Sequence, residues 1–170
     1  MKILFLSDIH GVPSALEKAL AAADELAPDR IALLGDLLYH GPRNGVPDFY
    51  DPVKVATILN SLKDRIVAVR GNCDAEVDQM MLEFPIMSDN AIIDADGKTF
   101  FMTHGHRWNP QNPPPFLKNV VLVYGHTHIP FIGSDDGLEF FNPGSVSLPK
   151  GGFKPSCGFF DGETLRHLYL

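Results

Sequence analysis

Five short motifs along the chain contain residues that can bind metal ions. In order, they are Asp8-Ile9-His10, Gly35-Asp36, Gly71-Asn72-Cys73-Asp74, Thr103-His104-Gly105-His106 and Gly125-His126-Thr127-His128. The side chains with a suitable nitrogen or oxygen are Asp8, His10, Asp36, Asn72, His104, His126 and His128. Carboxylate, imidazole and amide donors suit Mn²⁺, Fe²⁺, Zn²⁺, Co²⁺ or Ni²⁺, whereas a structural zinc site usually shows paired cysteines. The motifs therefore predict a centre for divalent cations.

The number of donors indicates two ions. Seven ligands exceed the need of a single ion, and a carboxylate shared between two ions would complete both sets. Asp36 is the expected bridge because it stands alone after its strand. Each motif by itself is a weak signal, since an isolated Asp-x-His is usually a turn. Their joint occurrence has no structural purpose, because unpaired buried polar groups cost stability.

The motifs share one position relative to the predicted strands. An apolar run precedes each of them, namely 4–6, 33–34, 67–69, 100–102 and 122–123. Each motif is therefore predicted to lie at the carboxyl end of a strand, the edge where layered α/β folds build their sites. The pairs Asp8/His10 and His126/His128 are expected in extended backbone, where residues i and i+2 point the same way.

The first half of the chain is predicted to alternate strands with helices. Strands are expected at 2–6, 30–34 and 65–69, and an amphipathic helix is expected at 14–26. A further helix begins after Asp51, which caps it, with Pro52 at its first position. A short helix is predicted over 75–82 with Asp74 as its cap.

The second half is predicted to be rich in short strands. Asp96-Gly97, Asp136-Gly137 and Asp161-Gly162 each lie between apolar runs, as the turn residues of hairpins do. Parallel βα units followed by hairpins predict an α/β fold, a layered α/β sandwich of two mixed β-sheets flanked by helices. The length of 170 residues predicts a single domain over 1–170.

Composition and charge exclude several classes of protein. Apolar residues make up 45% and charged residues 21%, which is typical of globular chains and not of disordered ones. The net charge of −7 argues against an extended nucleic-acid surface, which needs clustered Lys and Arg. The first apolar run is too short for a signal peptide or a membrane span, and two cysteines cannot form a disulfide framework. We expect a cytoplasmic protein without a membrane partner.

The five motifs resemble the pattern of the calcineurin-like metallophosphoesterases, which reads D-x-H, G-D, G-N-H-[DE], H and G-H-x-H in that order. The match runs from Asp8 to His128. A closer resemblance, to the small bacterial YfcE-like phosphodiesterases, lies in His40-Gly41-Pro42-Arg43-Asn44, Gly71-Asn72-Cys73-Asp74 and Asn142-Pro143-Gly144-Ser145-Val146. It covers nearly the whole chain. The resemblance implies the metallophosphoesterase fold and a small phosphate ester, expected to be a phosphodiester, as substrate.

The resemblance also implies how the donors divide between two ions. One ion is expected on Asp8, His10, Asp36 and His128, and the other on Asp36, Asn72, His104 and His126. Mn²⁺ is the expected metal, and a water or hydroxide that bridges the ions is expected to attack the phosphorus. The expected catalytic residues are Asp36, Asn72, Cys73 and His104.

Cys73 departs from the family pattern, which has a histidine there. That histidine is implied to protonate the leaving oxygen or to steady the transition state, whereas a thiol with a pKa near ~8.5 is a weak donor. Two other interpretations of Cys73 stay open beside the catalytic one. It could be a thiolate that binds metal, or a small buried residue without a chemical role, which is the interpretation we favour. His40 and Arg43, on the loop after Asp36, are candidate contacts for the substrate phosphate.

Three further residues have no predicted ligand role. His106 is expected either to orient the site or to face solvent. Trp108 is expected to pack beneath the Pro-rich segment that follows it, with contact to an aromatic leaving group as the alternative. His167 is interpreted as structural.

Other functions fit the same residues. A phosphomonoesterase or a nucleotide hydrolase would use the same metal centre, although the short chain offers no cap domain or basic channel. A catalytically silent protein-binding scaffold of the same fold would have lost metal ligands, and all seven ligand types are present. The sequence is compatible with a homo-oligomer but does not argue for one.

Overall fold

Strands and helices alternate in the first half of the chain, and strands dominate the second. The computed structural model describes residues 1–170. The helices are α1 (Pro13–Asp24), α2 (Pro52–Asn60) and α3 (Glu76–Gln79), with a 3₁₀ turn at Lys63–Arg65. The strands are β1 (Ile3–Leu6), β2 (Arg30–Leu33), β3 (Ile66–Ala68), β4 (Asn90–Ala95), β5 (Lys98–Thr103), β6 (Val121–Val123), β7 (Phe131–Asp135), β8 (Leu138–Asn142), β9 (Ser156–Phe160) and β10 (Leu165–Tyr169).

The strands form two sheets of five, and both sheets are mixed. The first has the order β10-β9-β1-β2-β3, in which β1, β2 and β3 are parallel and the C-terminal hairpin β9–β10 adds antiparallel strands beside β1. The second has the order β4-β5-β6-β8-β7, with a parallel centre and antiparallel edge strands. The predicted pair of mixed sheets is confirmed.

The two sheets pack face to face through aromatic side chains. Phe5 on β1 contacts the rings of Phe100 on β5 and Phe141 on β8, with centroids 5.4 and 6.1 Å apart. All three rings are fully buried. Gly158 on β9 leaves room for this layer, because a side chain there would overlap the ring of Phe141. One apolar layer thus fixes the position of each sheet relative to the other.

Helices cover the outer face of the first sheet, and a loop covers that of the second. Leu16 of α1 and Val55 and Leu59 of α2 belong to one buried cluster with β1 and β2 side chains. On the second sheet, Phe101 lies against the ring of Trp108, 5.8 Å away in the segment that follows β5. The helices therefore lie on one side of the sandwich only.

Local sequence signals explain where two of the helices begin. Proline occupies the first turn of both α1 and α2. Asp51 caps α2 as predicted, since its Oδ1 accepts the Lys54 N–H at 2.9 Å. Helix α1 ends at Asp24, two residues before the predicted bound at Leu26.

The prediction for the third helix was wrong in its length and its cap. Helix α3 has four residues, and Ala75 is its N-cap. The side chain of Asp78 accepts the Ala75 N–H at 2.8 Å. Asp74 does not cap the helix, because its carboxylate instead accepts backbone N–H groups of Asp36, Leu37 and Gly71.

All three predicted hairpins are present. Asp96-Gly97 joins β4 to β5 and Asp136-Gly137 joins β7 to β8, with positive φ at all four turn residues, as tight two-residue turns require. The third hairpin, β9–β10, has a longer turn in which Asp161 accepts two backbone N–H groups. None of the helices has the length and apolar character that crossing a membrane requires.

Candidate metal centre

The five motifs lie at the carboxyl ends of five strands, as predicted. The first sheet provides Asp8 after β1, Asp36 after β2 and Asn72 after β3. The second sheet provides His104 after β5 and His126 after β6. Because the sheets pack face to face, these ends meet at one edge of the sandwich. The structure therefore brings motif residues as far apart in sequence as Asp8 and His128 together in one site.

One group of donors surrounds the carboxylate of Asp8. Its Oδ1 lies 3.3 Å from Nε2 of His128 and 3.7 Å from Nε2 of His10. The two imidazole nitrogens are 3.4 Å apart. All three side chains are buried. This group contains three of the four residues expected to hold the first ion.

A second group surrounds Nε2 of His104. This nitrogen lies 3.1 Å from Oδ1 of Asn72, 3.3 Å from Nδ1 of His126 and 3.5 Å from Oδ2 of Asp36. The group contains all four residues expected to hold the second ion. It adjoins the first, since ligand atoms of Asp8, Asp36 and His104 lie within 4.8 Å of one another.

Asp36 lies between the two groups. Its Oδ2 is 3.8 Å from Nε2 of His10 and 3.5 Å from Nε2 of His104. Its other oxygen, Oδ1, accepts the Cys73 N–H at 2.8 Å. One oxygen is thus fixed by the backbone, and the other faces both groups of donors. This is the geometry expected of a bridging carboxylate.

The Nδ1 contacts of three histidines direct their Nε2 atoms toward the centre. Nδ1 of His10, His104 and His128 lies 2.6–2.8 Å from a backbone carbonyl oxygen, that of Tyr39, Leu34 and Leu148 respectively. A carbonyl oxygen only accepts, so each Nδ1 donates a proton, and in the neutral ring Nε2 is then an acceptor. Metal-binding histidines are commonly held in this way. His126 is the exception, because its Nδ1 faces the centre.

Acceptors therefore converge on the centre without donors to match them. Nε2 of His10 and Nε2 of His128 face each other, both as acceptors in the neutral rings, and Oδ1 of Asp8 is buried with no hydrogen-bond partner. The Asn72 amide donates to the Cys73 sulfur at 3.2 Å, which turns its oxygen toward His104. Such an arrangement is unfavourable unless positive charge lies among the acceptors. The residues present therefore fit divalent cations.

The pKa values of His104 and Asp36 also indicate that positive charge is favourable in the centre. Burial lowers the pKa of His104, but the nearby Asp36 and Asp8 outweigh burial and raise it to about 9. Burial would raise the pKa of Asp36, but its contacts with His104 hold it well below its usual range. For His126, burial and the charge of His104 lower the pKa to about 4. In the metal-free protein, a second proton on the His104 ring, at Nε2, therefore supplies positive charge that a cation would otherwise bring.

The backbone of the ligands is not extended as predicted. Asp8, His10, Asp36, His126 and His128 all have positive φ, between 49° and 66°. The i and i+2 argument was therefore wrong, although Asp8 and His10 do share one group. His126 and His128 instead face different groups. Left-handed backbone is unfavourable for residues with a side chain and collects at functional sites.

Residues 1–164 match the calcineurin-like phosphoesterase superfamily domain over nearly the whole chain. The chain belongs to this family. It is 47% identical to phosphodiesterase YfcE of Escherichia coli strain K12 over 170 residues, which cover 100% of the chain and 92% of that relative. The E. coli YfcE structure, described as that of a phosphoesterase, matches with a TM-score of 0.92 and 46% identity, covering 97% of this chain and 91% of that chain.

A more distant member of this fold is vacuolar protein sorting 29 from Cryptosporidium parvum. It matches with a TM-score of 0.62 at 17% identity, covering 99% of this chain and 98% of that chain. At that identity the likeness shows the fold alone.

Asp74 holds two of the metallophosphoesterase motifs together, which the sequence prediction missed. Its buried carboxylate accepts N–H groups from Asp36, Leu37 and Gly71 at 2.8, 2.9 and 2.7 Å. Gly71 in turn lies so close to Asp36 that a side chain there would overlap the Asp36 carboxylate. The aspartate that ends the third motif therefore ties the loop after β2 to the loop after β3.

The segment at the end of β8 and after it also stabilises the ligand loops, and it includes the motif 142–146 on which the sequence resemblance partly rests. The hydroxyls of Ser145 and Ser147 donate to the backbone oxygen of Asp8 at 2.8 and 3.0 Å. The amide of Asn142 donates to the Gly125 oxygen at 2.9 Å. These contacts hold the left-handed loops that carry Asp8 and His126.

The centre opens into a cavity of about 760 Å³ whose lining is mostly polar. Asp36, Asn72, His126 and His128 line it on the metal side. Arg43 lines it as well, and so does Lys150, which no sequence motif indicated. The Lys150 backbone N–H donates to the His128 oxygen at 3.2 Å, which places this lysine beside the centre. Both cations are exposed.

The remaining sequence candidates lie around this cavity. His40 is not part of its lining, and its ring packs between Tyr39 and Tyr50, with centroids 4.6 and 5.3 Å away. Cys73 is half-buried and lines the cavity; burial, with Asp36 second, raises the pKa of its thiol to about 12. Its sulfur also lies within 4.8 Å of ligand atoms of His10 and Asp36.

The structure also shows the positions of the three residues that had no predicted ligand role. His106 is exposed, and its ring lies 5.5 Å from that of His104. Trp108 packs against Phe101 and Phe116, as the packing interpretation predicted. His167 stacks on Phe141, and its Nε2 bonds to the Asn142 oxygen at 2.7 Å, in agreement with a structural role.

Proposed function

We propose that this metallophosphoesterase hydrolyses phosphodiesters with the help of two divalent metal ions. Asp8, His10, Asp36 and His128 would hold one ion, and Asp36, Asn72, His104 and His126 the other. The observation that carries the proposal is the position of Asp36, whose free oxygen faces donors of both groups. The 47% identity to a phosphodiesterase over the whole chain supports the diester as substrate.

The protein side chains serve to hold and orient the reacting groups. When bound, two such ions lower the pKa of a shared water, neutralise phosphoryl oxygens and set an in-line attack. Asp36, Asn72 and His104 fix the geometry at the centre because their outer atoms are tied to the backbone or to Cys73. Arg43 and Lys150 line the cavity beside this point, where their charges can bind phosphate oxygens.

Several properties of this enzyme belong to the same proposal. We take Mn²⁺ as the working metal, since oxygen ligands such as the carboxylates of Asp8 and Asp36 and the amide oxygen of Asn72 suit this ion. We place the enzyme in the cytoplasm because both cysteines are free. We treat 1–170 as one domain, since the apolar layer between the sheets contains side chains of both halves of the chain.

The test is hydrolysis by protein that has been stripped with a chelator and then supplied with single divalent ions. We expect no turnover of bis(p-nitrophenyl) phosphate after stripping and recovery with Mn²⁺, with two ions bound per chain by elemental analysis. Undiminished activity of the stripped protein would contradict the proposal.

The same assay separates the other functions. Preference for p-nitrophenyl phosphate or for nucleotides over the diester would favour the monoesterase or nucleotide hydrolase. Absence of both metal binding and ester cleavage would favour the catalytically silent protein-binding scaffold.

A further inference from the structure

A smaller cavity of about 230 Å³ adjoins the cavity of the metal centre. The two share Tyr39, Cys73 and Ala75 in their walls. Their character differs sharply. Seven of the nine residues that line the smaller cavity are hydrophobic, against three of thirteen in the larger one. A molecule held at the metal centre therefore has an apolar recess next to it.

The aromatic side of this recess is preformed. Tyr39 and Tyr50 are both part of the wall, and the ring of His40 packs between them. Tyr50 also lies against Gly11, where a side chain would overlap its ring. The backbone N–H of Asp51 donates to the Gly11 oxygen at 2.8 Å, which fixes this loop. The tyrosine rings are thus held in place before any ligand arrives.

The opposite side comes from α3 and the residues after it. Val77 and Met81 line the recess and are 63% and 37% exposed. Leu38, which is fully buried, contributes to the same wall. The carboxylate of Asp78 also lies here, but it already accepts the Ala75 N–H at 2.8 Å. Large apolar side chains exposed around a recess indicate a binding surface.

We propose that this recess binds an apolar, ring-sized ester arm of the substrate, an inference that rests on the phosphodiesterase function proposed above. The phosphate lies at the metal centre, and one arm passes Cys73 and Ala75 to contact Tyr39, Val77 and Met81. Pockets that take whole drug-sized ligands have volumes of ~300–1,000 Å³, so the recess suits one ring or a short branched chain. A charged or strongly hydrated arm would lose its water there without compensation. The substrate is therefore a diester with at least one aryl or similarly apolar arm.

The test compares two phosphonates that carry a single arm and cannot be hydrolysed. Benzylphosphonate and methylphosphonate are titrated into the Mn²⁺-supplied protein by calorimetry, and each is also measured as a competitive inhibitor of bis(p-nitrophenyl) phosphate hydrolysis. We expect benzylphosphonate to bind at least ~10-fold more tightly, because its ring is removed from water. Its binding should also show the more negative heat-capacity change.

Two substitutions with a matched control locate the effect. Met81→Gln and Val77→Gln place an amide in the recess at exposed positions, and each should reduce the preference for benzylphosphonate to less than ~3-fold. The control is Met80→Gln, since Met80 is 86% exposed and is not part of the wall. This variant should keep the full preference. Methylphosphonate should bind equally to all four proteins, which shows that the metal centre is intact.

The outcomes separate this inference from the proposed function. Equal binding of the two phosphonates by the wild-type protein, or a preference that survives both Met81→Gln and Val77→Gln, would overturn the inference even if the diester is hydrolysed. A preference that is lost in those variants would support the recess even if bis(p-nitrophenyl) phosphate is not hydrolysed, in which case the proposed function alone fails.

Discussion

Asp36 and Asp8 each present one free carboxylate oxygen to the metal centre, but these oxygens face different donors. The Asp36 oxygen faces both groups, through His10 and His104. The Asp8 oxygen faces His10 and His128, which belong to the first group only. In the proposed two-metal centre, loss of charge at Asp36 should therefore weaken the binding of both ions, whereas loss of charge at Asp8 should weaken chiefly the binding of one.

We predict that Asp36→Asn is more damaging than Asp8→Asn. Asp36→Asn should lower kcat/KM for the diester by roughly 10³-fold, because metal ions contribute several kcal/mol to such reactions. The bound metal should fall below one ion per chain, while Asp8→Asn should keep close to one. Metal content by elemental analysis and steady-state kinetics measure both effects. Near-normal turnover of Asp36→Asn with a severe loss in Asp8→Asn would show that the bridge is assigned to the wrong residue.

Cys73 stands where the family pattern has a histidine, which bears on how the proposed reaction would release its leaving group. Its thiol, with a pKa of about 12, is a poor proton donor at neutral pH. Without a donor, negative charge accumulates on the departing oxygen in the transition state, and the rate depends steeply on the basicity of that oxygen. We predict that diesters with acidic phenol leaving groups are cleaved much faster than those with basic ones.

A series of aryl diesters with phenols of one size isolates this effect from binding in the apolar recess. We expect log k to fall steeply with leaving-group pKa in the wild type and in Cys73→Ala, which should change little. Cys73→His should flatten the slope, because a positioned general acid contributes ~10²–10⁴-fold. A shallow slope in the wild type, or a large loss in Cys73→Ala, would mean that Cys73 or another donor already supplies the proton.

At the scale of the elements, Asp74 connects two of the loops that carry the site. It joins the ends of β2 and β3 by accepting N–H groups of Asp36, Leu37 and Gly71. We predict that Asp74→Asn lowers the free energy of unfolding by about 1–3 kcal/mol, because an amide N–H₂ would face backbone donors. Urea denaturation and the affinity for Mn²⁺ should both show the change.

Asp51→Asn is the matched control for this substitution. Asp51 is exposed and caps α2 through Oδ1, and asparagine retains a cap oxygen. The control should leave stability and metal affinity nearly unchanged. An equal effect of the two substitutions would show that the loss of an acidic side chain, and not the loss of the Asp74 contacts, is responsible.

The elements show which parts of the molecule could be predicted from sequence. Strand ends, hairpin turns and the Asp51 cap depend on residues that are close along the chain, and these predictions were confirmed. The left-handed backbone of the ligand loops depends on distant contacts such as those of Ser145 and Ser147 with Asp8. The role of Asp74 and the position of Lys150 beside His128 likewise arise only in the folded chain.

For the molecule as a whole, the titratable groups of the metal centre determine how the stability of the metal-free protein should change with pH. The pKa of His104 is raised to about 9, so the stability it contributes is complete below about 6.5 and is lost as pH rises through about 9. The pKa of His126 is lowered to about 4, so its contribution is lost as pH falls from about 6.5 toward 4. We predict maximal stability of the metal-free protein near pH 6.5.

Urea unfolding of chelator-treated protein between pH 5 and pH 9.5 tests this prediction. The loss on the alkaline side should be on the order of 2–3 kcal/mol, and Mn²⁺ should remove it because ions replace the proton among the acceptors. His104→Gln should abolish the alkaline loss in the metal-free protein. A metal-free stability that rises steadily up to pH 9 would contradict the charge arrangement described here.

The centre draws its donors from both sheets, and this has a consequence for how the chain acquires its metal. His10 and His128, which face each other, are 118 residues apart in sequence. Contacts of such separation form late, because the intervening chain must first be ordered. During synthesis the first sheet's loops are made long before His126 and His128 exist. We therefore expect metal uptake to be one of the last events of maturation, so that a loaded centre reports that both halves of the chain have folded and docked.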